Sequence, residues 1–247
     1  MLVALLTAIQ TLTRIPVPSP ARAPDARMIA WSAVFYPAVG ALLGGFGVSA
    51  FELLGGRLAP SVVALIILAL WAFVTGALHE DGLADSFDAF GSQVSREDIL
   101  RVLKDSRIGS YGALALVLAT LLRWQGLSLL PPEALIFGLM ASQVLPRAGV
   151  VLLAYWAGPA TAGTGGGMAA ALTAAPVAVT VSLSMAILLP IGRAKLFAPA
   201  IGCLLVSGLL AAYFRRRLGG VTGDCLGAAE QLQEVVVLLA VLASWPA

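Results

Sequence analysis

The sequence predicts an all-α, polytopic integral membrane bundle of about seven transmembrane helices, with a short interfacial helix before them. Three observations predict it. Of 247 residues, 60% are apolar and 11% charged, against about 25% charged in soluble domains. Mean hydropathy is +0.95. Apolar stretches of roughly 20 residues, the length that crosses a bilayer's hydrocarbon, recur along the whole chain, and Gly or Pro stands at their joints.

Residues 1–13 carry Leu2, Leu5, Leu6, Ile9 and Leu12 on one helical stripe, too short to cross and suited to lie in the interface. No Lys or Arg precedes this stripe, so it does not read as a signal peptide. The spans fall at about residues 30–54, 60–78, 112–130, 133–156, 169–191, 196–214 and 227–245, with ends uncertain by about 2 to 4 residues. Gly55 and Gly56 with Pro60, Pro131 with Pro132, Gly158 with Pro159, Pro190 with Gly192, and Gly219 with Gly220 separate them. The chain therefore reads as a single membrane domain, 1–247, with polar segments at 79–111 and 215–226.

Cytoplasmic loops are enriched in Lys and Arg. With seven spans, one side holds Arg14, Arg22, Arg27, Arg96, Arg101, Lys104, Arg107, Arg215, Arg216 and Arg217, and the other only Arg57, Arg193 and Lys195. The amino-terminal segment and both polar segments are thereby assigned to the cytoplasm. Arg123 and Arg147 fall inside spans. Arg123 is near enough to an end to snorkel, whereas Arg147 needs a partner. A net charge of +2 and 7% aromatics argue against a nucleic-acid partner. Cys203 and Cys225 show neither metal-ligand spacing nor a disulfide framework.

Seven of the 13 acidic residues fall at 80–105: Glu80, Asp81, Asp85, Asp88, Glu97, Asp98 and Asp105. At 3.6 residues per turn, Asp81, Asp85 and Asp88 lie within about 60° of one another on one helical face that continues the second span. Three like charges there call for a cation, and oxygen ligands without a second His or a paired Cys favour Mg²⁺, with Mn²⁺ an alternative, over zinc. Gly82 and Ala84 keep the neighbouring surface small enough for another helix or a substrate to approach. Ser95 reads as an N-cap with Glu97 and Asp98 in the first turn. The run from Lys104 to Gly112 is a Gly-containing turn at the start of a span, where backbone N–H groups and Arg107 favour an anion.

A similar turn, Gly219-Gly220-Val221-Thr222-Gly223-Asp224, follows three arginines and precedes the last span, which carries Glu230 and Glu234. Glu234 lies about 10 Å into that helix, so Arg147 or a metal is expected to compensate it. Acids for a divalent cation, basic residues and Gly turns on one membrane face together suggest phosphoryl-group transfer on a diphosphate-linked substrate.

Several of these stretches, His79 to Asp88, Lys104 to Gly112 and Gly219 to Ala229, with Leu12 to Pro18 and Tyr36 to Gly40, resemble the signature motifs of the cobalamin synthase (adenosylcobinamide-GDP ribazoletransferase) family, in order and over nearly the whole chain. The resemblance implies a Mg²⁺-dependent enzyme of the bacterial or archaeal cytoplasmic membrane, its active site facing the cytoplasm. Such an enzyme joins adenosylcobinamide-GDP to α-ribazole or its 5′-phosphate and releases GMP. Homo-oligomers or association with other corrinoid-pathway enzymes fit that setting. The resemblance implies Asp81, Asp85, Asp105 and Arg107 as catalytic residues. Asp81, Asp85, Asp88, Asp224 and Glu234 would be metal ligands, and Arg14, His79, Gly109, Arg147, Gly220, Thr222 and Gly223 would meet substrate or its phosphates. The chain departs from the family pattern at Glu80, at Ala89 and at Glu230 with Gln231. Two other readings use similar features: a membrane phosphotransferase of CDP-alcohol type, and a cation-coupled transporter, which would instead carry acids near mid-membrane in paired broken helices.

Overall fold

The computed structural model describes residues 1–18, 25–92, 95–161 and 164–245, and among these its regular secondary structure is all helix apart from one isolated bridge. Arg22, one of the bases used to orient the chain, lies outside the described residues. The helices are α1 (Leu2–Leu12), α2 (Ala26–Ser32), α3 (Tyr36–Leu54), α4 (Pro60–Thr75), α5 (Leu78–Ser92), α6 (Arg96–Val102), α7 (Ser110–Ser128), α8 (Pro132–Ala157), α9 (Thr164–Ala171), α10 (Ala174–Gly192), α11 (Phe197–Leu218) and α12 (Gly223–Ser244).

Local chemistry sets many of their ends. Asp25 caps α2 by accepting from the Met28 N–H at 2.7 Å, Ser95 caps α6 as its sequence suggests, and Thr222 caps α12 by accepting from the Cys225 N–H at 3.3 Å. Pro37, Pro60 and Pro132 occupy first-turn positions of α3, α4 and α8, where no intrahelical N–H bond is lost.

At the core, α8 is the central helix, packed on by α3, α10, α11 and α12. Its apolar window is 83% buried, whereas that of the α10–α11 stretch is only 28% buried; the former is the axis and the latter the periphery. Trp71 of α4 buries its ring and donates to the Leu43 carbonyl of α3 at 2.7 Å. Ser207 of α11 donates to the Gly149 carbonyl of α8.

Helices occupy all of the expected apolar stretches, but among the described residues length and composition qualify only four helical stretches as spans, or five if one bent pair counts as one. Two physical reasons reduce the count from seven. The α10–α11 stretch runs on as 45 helical residues across a short 3₁₀ turn, and α7 carries Arg123 and Gln125, which lower its hydropathy. A second expectation is corrected: the acidic helix does not continue the second span. Gly76 takes φ +68 and Ala77 φ +57, so α4 stops and α5 departs at 88° to it. At Gly76 a Cβ would lie 2.0 Å from Nε of Arg14. Glycine is therefore required there both for its left-handed angle and for the arginine packed on it.

Candidate active site

The site forms where α5 crosses the start of α12. A Cβ on Gly82 would come within 2.9 Å of the Asp224 carbonyl oxygen, and one on Gly227 within 3.2 Å of the Gly82 Cα. The two backbones therefore touch, as small residues allow between packed helices, and this contact brings Asp224 to the face that carries Asp81 and Asp85. Asp81 is exposed and the other two partly so. Asp81 and Asp224 both act electrostatically on Asp85. Among the described residues, no ion pair neutralises any of the three.

Two cavities meet at this cluster. One, of about 440 Å³, lies between α1, α2, α3, α5, α8, α9 and α12 and reaches His79, Asp81, Gly223 and Asp224. The other, of about 650 Å³, is more polar and is lined by Arg14, Thr13, Glu80, Asp81, Asp85 and Ser106 among others. Thr11, Leu78 and Asp81 belong to both, so Asp81 stands at their junction. Arg14 is held there by its backbone N–H, which donates to the Val74 carbonyl at 2.7 Å, and by Nη2 to the Gly76 carbonyl at 3.4 Å.

Asp88, on the same face, serves a different purpose. Its Oδ2 accepts from the Gly109 N–H at 2.7 Å and its Oδ1 from the Gly112 N–H at 2.9 Å, which caps α7 from another helix. The Gly109 amide, expected to meet phosphate, is taken by that carboxylate. Asp88→Ala is expected to cost about 1 to 2 kcal/mol of stability, as loss of a helix cap does, which thermal unfolding would register. Activity lost at unchanged stability would instead return Asp88 to the catalytic cluster.

Asp105 and Arg107 pair with each other, Nη2 to Oδ2 at 2.6 Å, and line a separate surface cavity with Asp88 and Tyr111. The guanidinium holds the Asp105 carboxyl down at about 2. That group keeps its charge until pH falls through about 2, while any stability the pair contributes is complete only above the ordinary carboxylate value of 3.8 and is lost progressively as pH falls from there through about 2. Gly220 packs on the Pro159 carbonyl, and the adjacent Val221 N–H donates to the Gly158 carbonyl at 2.9 Å. This turn is thus braced against the end of α8, with Gly223 facing the smaller cavity.

Beneath the cavities lies a buried ionic network that sequence reasoning did not assemble. Arg147 Nη1 lies 2.9 Å from Glu230 Oε1, and His79 Nδ1 lies 3.3 Å from Glu230 Oε2. Arg123 Nε lies 3.0 Å from Glu234 Oε1, while its Nη1 donates to Glu80 at 3.1 Å and to Gln231 at 2.6 Å. Gln143 links the halves, accepting from Arg147 at 3.0 Å and donating to Glu234 at 2.9 Å. The direct partner of Arg147 is therefore Glu230 and not Glu234. Arg123 is buried and paired instead of snorkelling, with Glu234 and Glu80 as its partners. The structure places Arg147 and Glu234 in this network and not among the cavity-lining residues. The signal in the sequence was the presence of two arginines and two glutamates in apolar spans, each needing a partner.

Fold and site define a helical protein of membrane type, whose candidate site is a carboxylate cluster at a helix crossing. A family model described as cobalamin-5-phosphate synthase matches residues 4–242. The chain belongs to this family of cobalamin-biosynthesis enzymes. It is 37% identical to the adenosylcobinamide-GDP ribazoletransferase of Ralstonia pickettii, covering 97% of this chain and 95% of that protein. It is 36% identical to the protein of that name from Shewanella frigidimarina, covering 96% and 92%, and 32% identical to that of Clostridium botulinum, covering 96% of each. No solved structure matches the chain.

Proposed function

We propose that this protein is a Mg²⁺-dependent adenosylcobinamide-GDP ribazoletransferase of the cytoplasmic membrane, with its site on the cytoplasmic face. A hydroxyl of α-ribazole or its 5′-phosphate attacks the phosphorus nearer the corrinoid, and GMP leaves. The observation that carries the reading is a pair of cavities joined at Asp81 in a chain whose relatives bear this name. Two reactants need two rooms and a common point of reaction.

The donors at that point fit a hard cation: three carboxylates, Asp81, Asp85 and Asp224, without a basic partner. Among the described residues no three His, Cys, Asp or Glu side chains cage a metal by themselves. A cation that keeps waters or takes substrate oxygens suits such a site, and Mg²⁺ has that habit. Bound there, it would neutralise the diphosphate as the phosphorus changes partners. Arg14, at the mouth of the polar cavity, adds a fixed positive charge for the same oxygens. The excess of bases near α6, α7 and the end of α11 supports the cytoplasmic orientation. Arg96 ties these elements together by donating to the Leu218 carbonyl at 2.9 Å.

The test incubates detergent-purified protein with adenosylcobinamide-GDP, α-ribazole and Mg²⁺. Equal amounts of cobalamin and GMP are expected, and a chelator should stop the reaction until Mg²⁺ is restored. Absence of product, with solute uptake into liposomes instead, would overturn the reading in favour of a transporter.

A further inference from the structure

The two cavities differ in chemistry. The geometry points to the smaller one as the seat of the aromatic base of the acceptor riboside, which makes its apolar walls the residues that select that base. This assignment rests on the transferase reading above. The walls are Leu12, Ile29, Leu78, Val150, Met168 and Leu226. Among the described residues no Lys or Arg lines the cavity, so its walls offer a diphosphate no guanidinium or ammonium group.

Its volume of about 440 Å³ falls within the range of small-molecule pockets, about 300 to 1,000 Å³. A corrin macrocycle with its amide side chains is far larger. The contest is therefore between guanine and dimethylbenzimidazole, the base of α-ribazole. Guanine carries an amide N–H, an amino group and a carbonyl that all need partners when buried. The Thr and Ser hydroxyls in the wall are already committed as donors and leave guanine's carbonyl without a proton from them: Thr7 donates to the Val3 carbonyl at 2.9 Å, Thr11 to the Thr7 carbonyl at 2.8 Å and Ser32 to the Ile29 carbonyl at 2.8 Å. An N-glycosylated dimethylbenzimidazole has no N–H to satisfy and offers two methyl groups to the apolar walls. Asp81 and Asp224 form the polar end of the same cavity, which suits ribose hydroxyls and directs them toward the junction with the polar, Arg14-lined cavity.

The experiment fills or widens the room. Ile29→Trp, at a half-buried position, should raise the KM for α-ribazole at least tenfold and leave the KM for adenosylcobinamide-GDP within about twofold. Met168→Ala should shift kcat/KM toward ribosides of larger bases, such as naphthimidazole. Calorimetric titration of α-ribazole into the protein in nanodiscs, without donor, should show the same order of affinities. A change confined to the donor's KM in both variants would place guanosine in this cavity and overturn the assignment. Wild-type protein that binds α-ribazole but makes no product would refute the transferase reading and leave the assignment standing. Binding unchanged by either substitution would refute the assignment alone.

Discussion

Asp81→Asn is expected to lower turnover more than about a hundredfold, the scale on which a group that organises transition-state charge is felt, while leaving the melting temperature close to that of the wild type. The residue is exposed, lines both cavities and has no ion-pair partner among the described residues. Its charge does little for folding, so the loss should fall on chemistry. Asp85→Asn should behave alike. Initial rates at saturating substrates, read beside a thermal melt, check the expectation. A near-normal rate for Asp81→Asn would remove this residue from the reacting centre.

The other large effect is on stability. Arg147→Met leaves the buried Glu230 without its cation, and breaking one side of a buried pair costs about 3 to 5 kcal/mol. Arg123→Met strips Glu80 and Glu234 together and should be at least as severe. The expected result is protein that accumulates poorly or unfolds at markedly lower temperature. Arg147→Met combined with Glu230→Gln should recover part of the loss, because no uncompensated charge remains. In double-mutant cycles the coupling of Arg147 with Glu230 should exceed that of Arg147 with Glu234, which meet only through Gln143. The reverse order would show that the buried pairing is different.

These outcomes separate what local pattern reveals from what only the fold decides. Helical class, the acidic face of α5 and the close approach allowed by Gly82 were legible, because period and side-chain size are local properties. The turn at Gly76 and Ala77 was not, since nothing nearby announced that Arg14, 62 residues away in sequence, would fill the space beside the glycine. Asp88 shares its face with Asp81 and Asp85, and spacing alone cannot distinguish a carboxylate that meets substrate from one that caps a helix arriving from elsewhere. The ionic network was half legible. Each ionisable residue in an apolar span demanded a partner, but the pairing depends on how α5, α7, α8 and α12 face one another. Gln143 and Gln231, which complete it, carry no charge to draw notice.

The common wall at Asp81 also has a kinetic meaning. Two reactants lodged side by side, each in its own room, need no stage in which the enzyme carries part of one of them. Initial-rate plots at several concentrations of the second substrate should therefore give lines that intersect, not parallel ones. GMP should not leave until both substrates are bound, and a label on GMP should not return to the donor when the riboside is withheld.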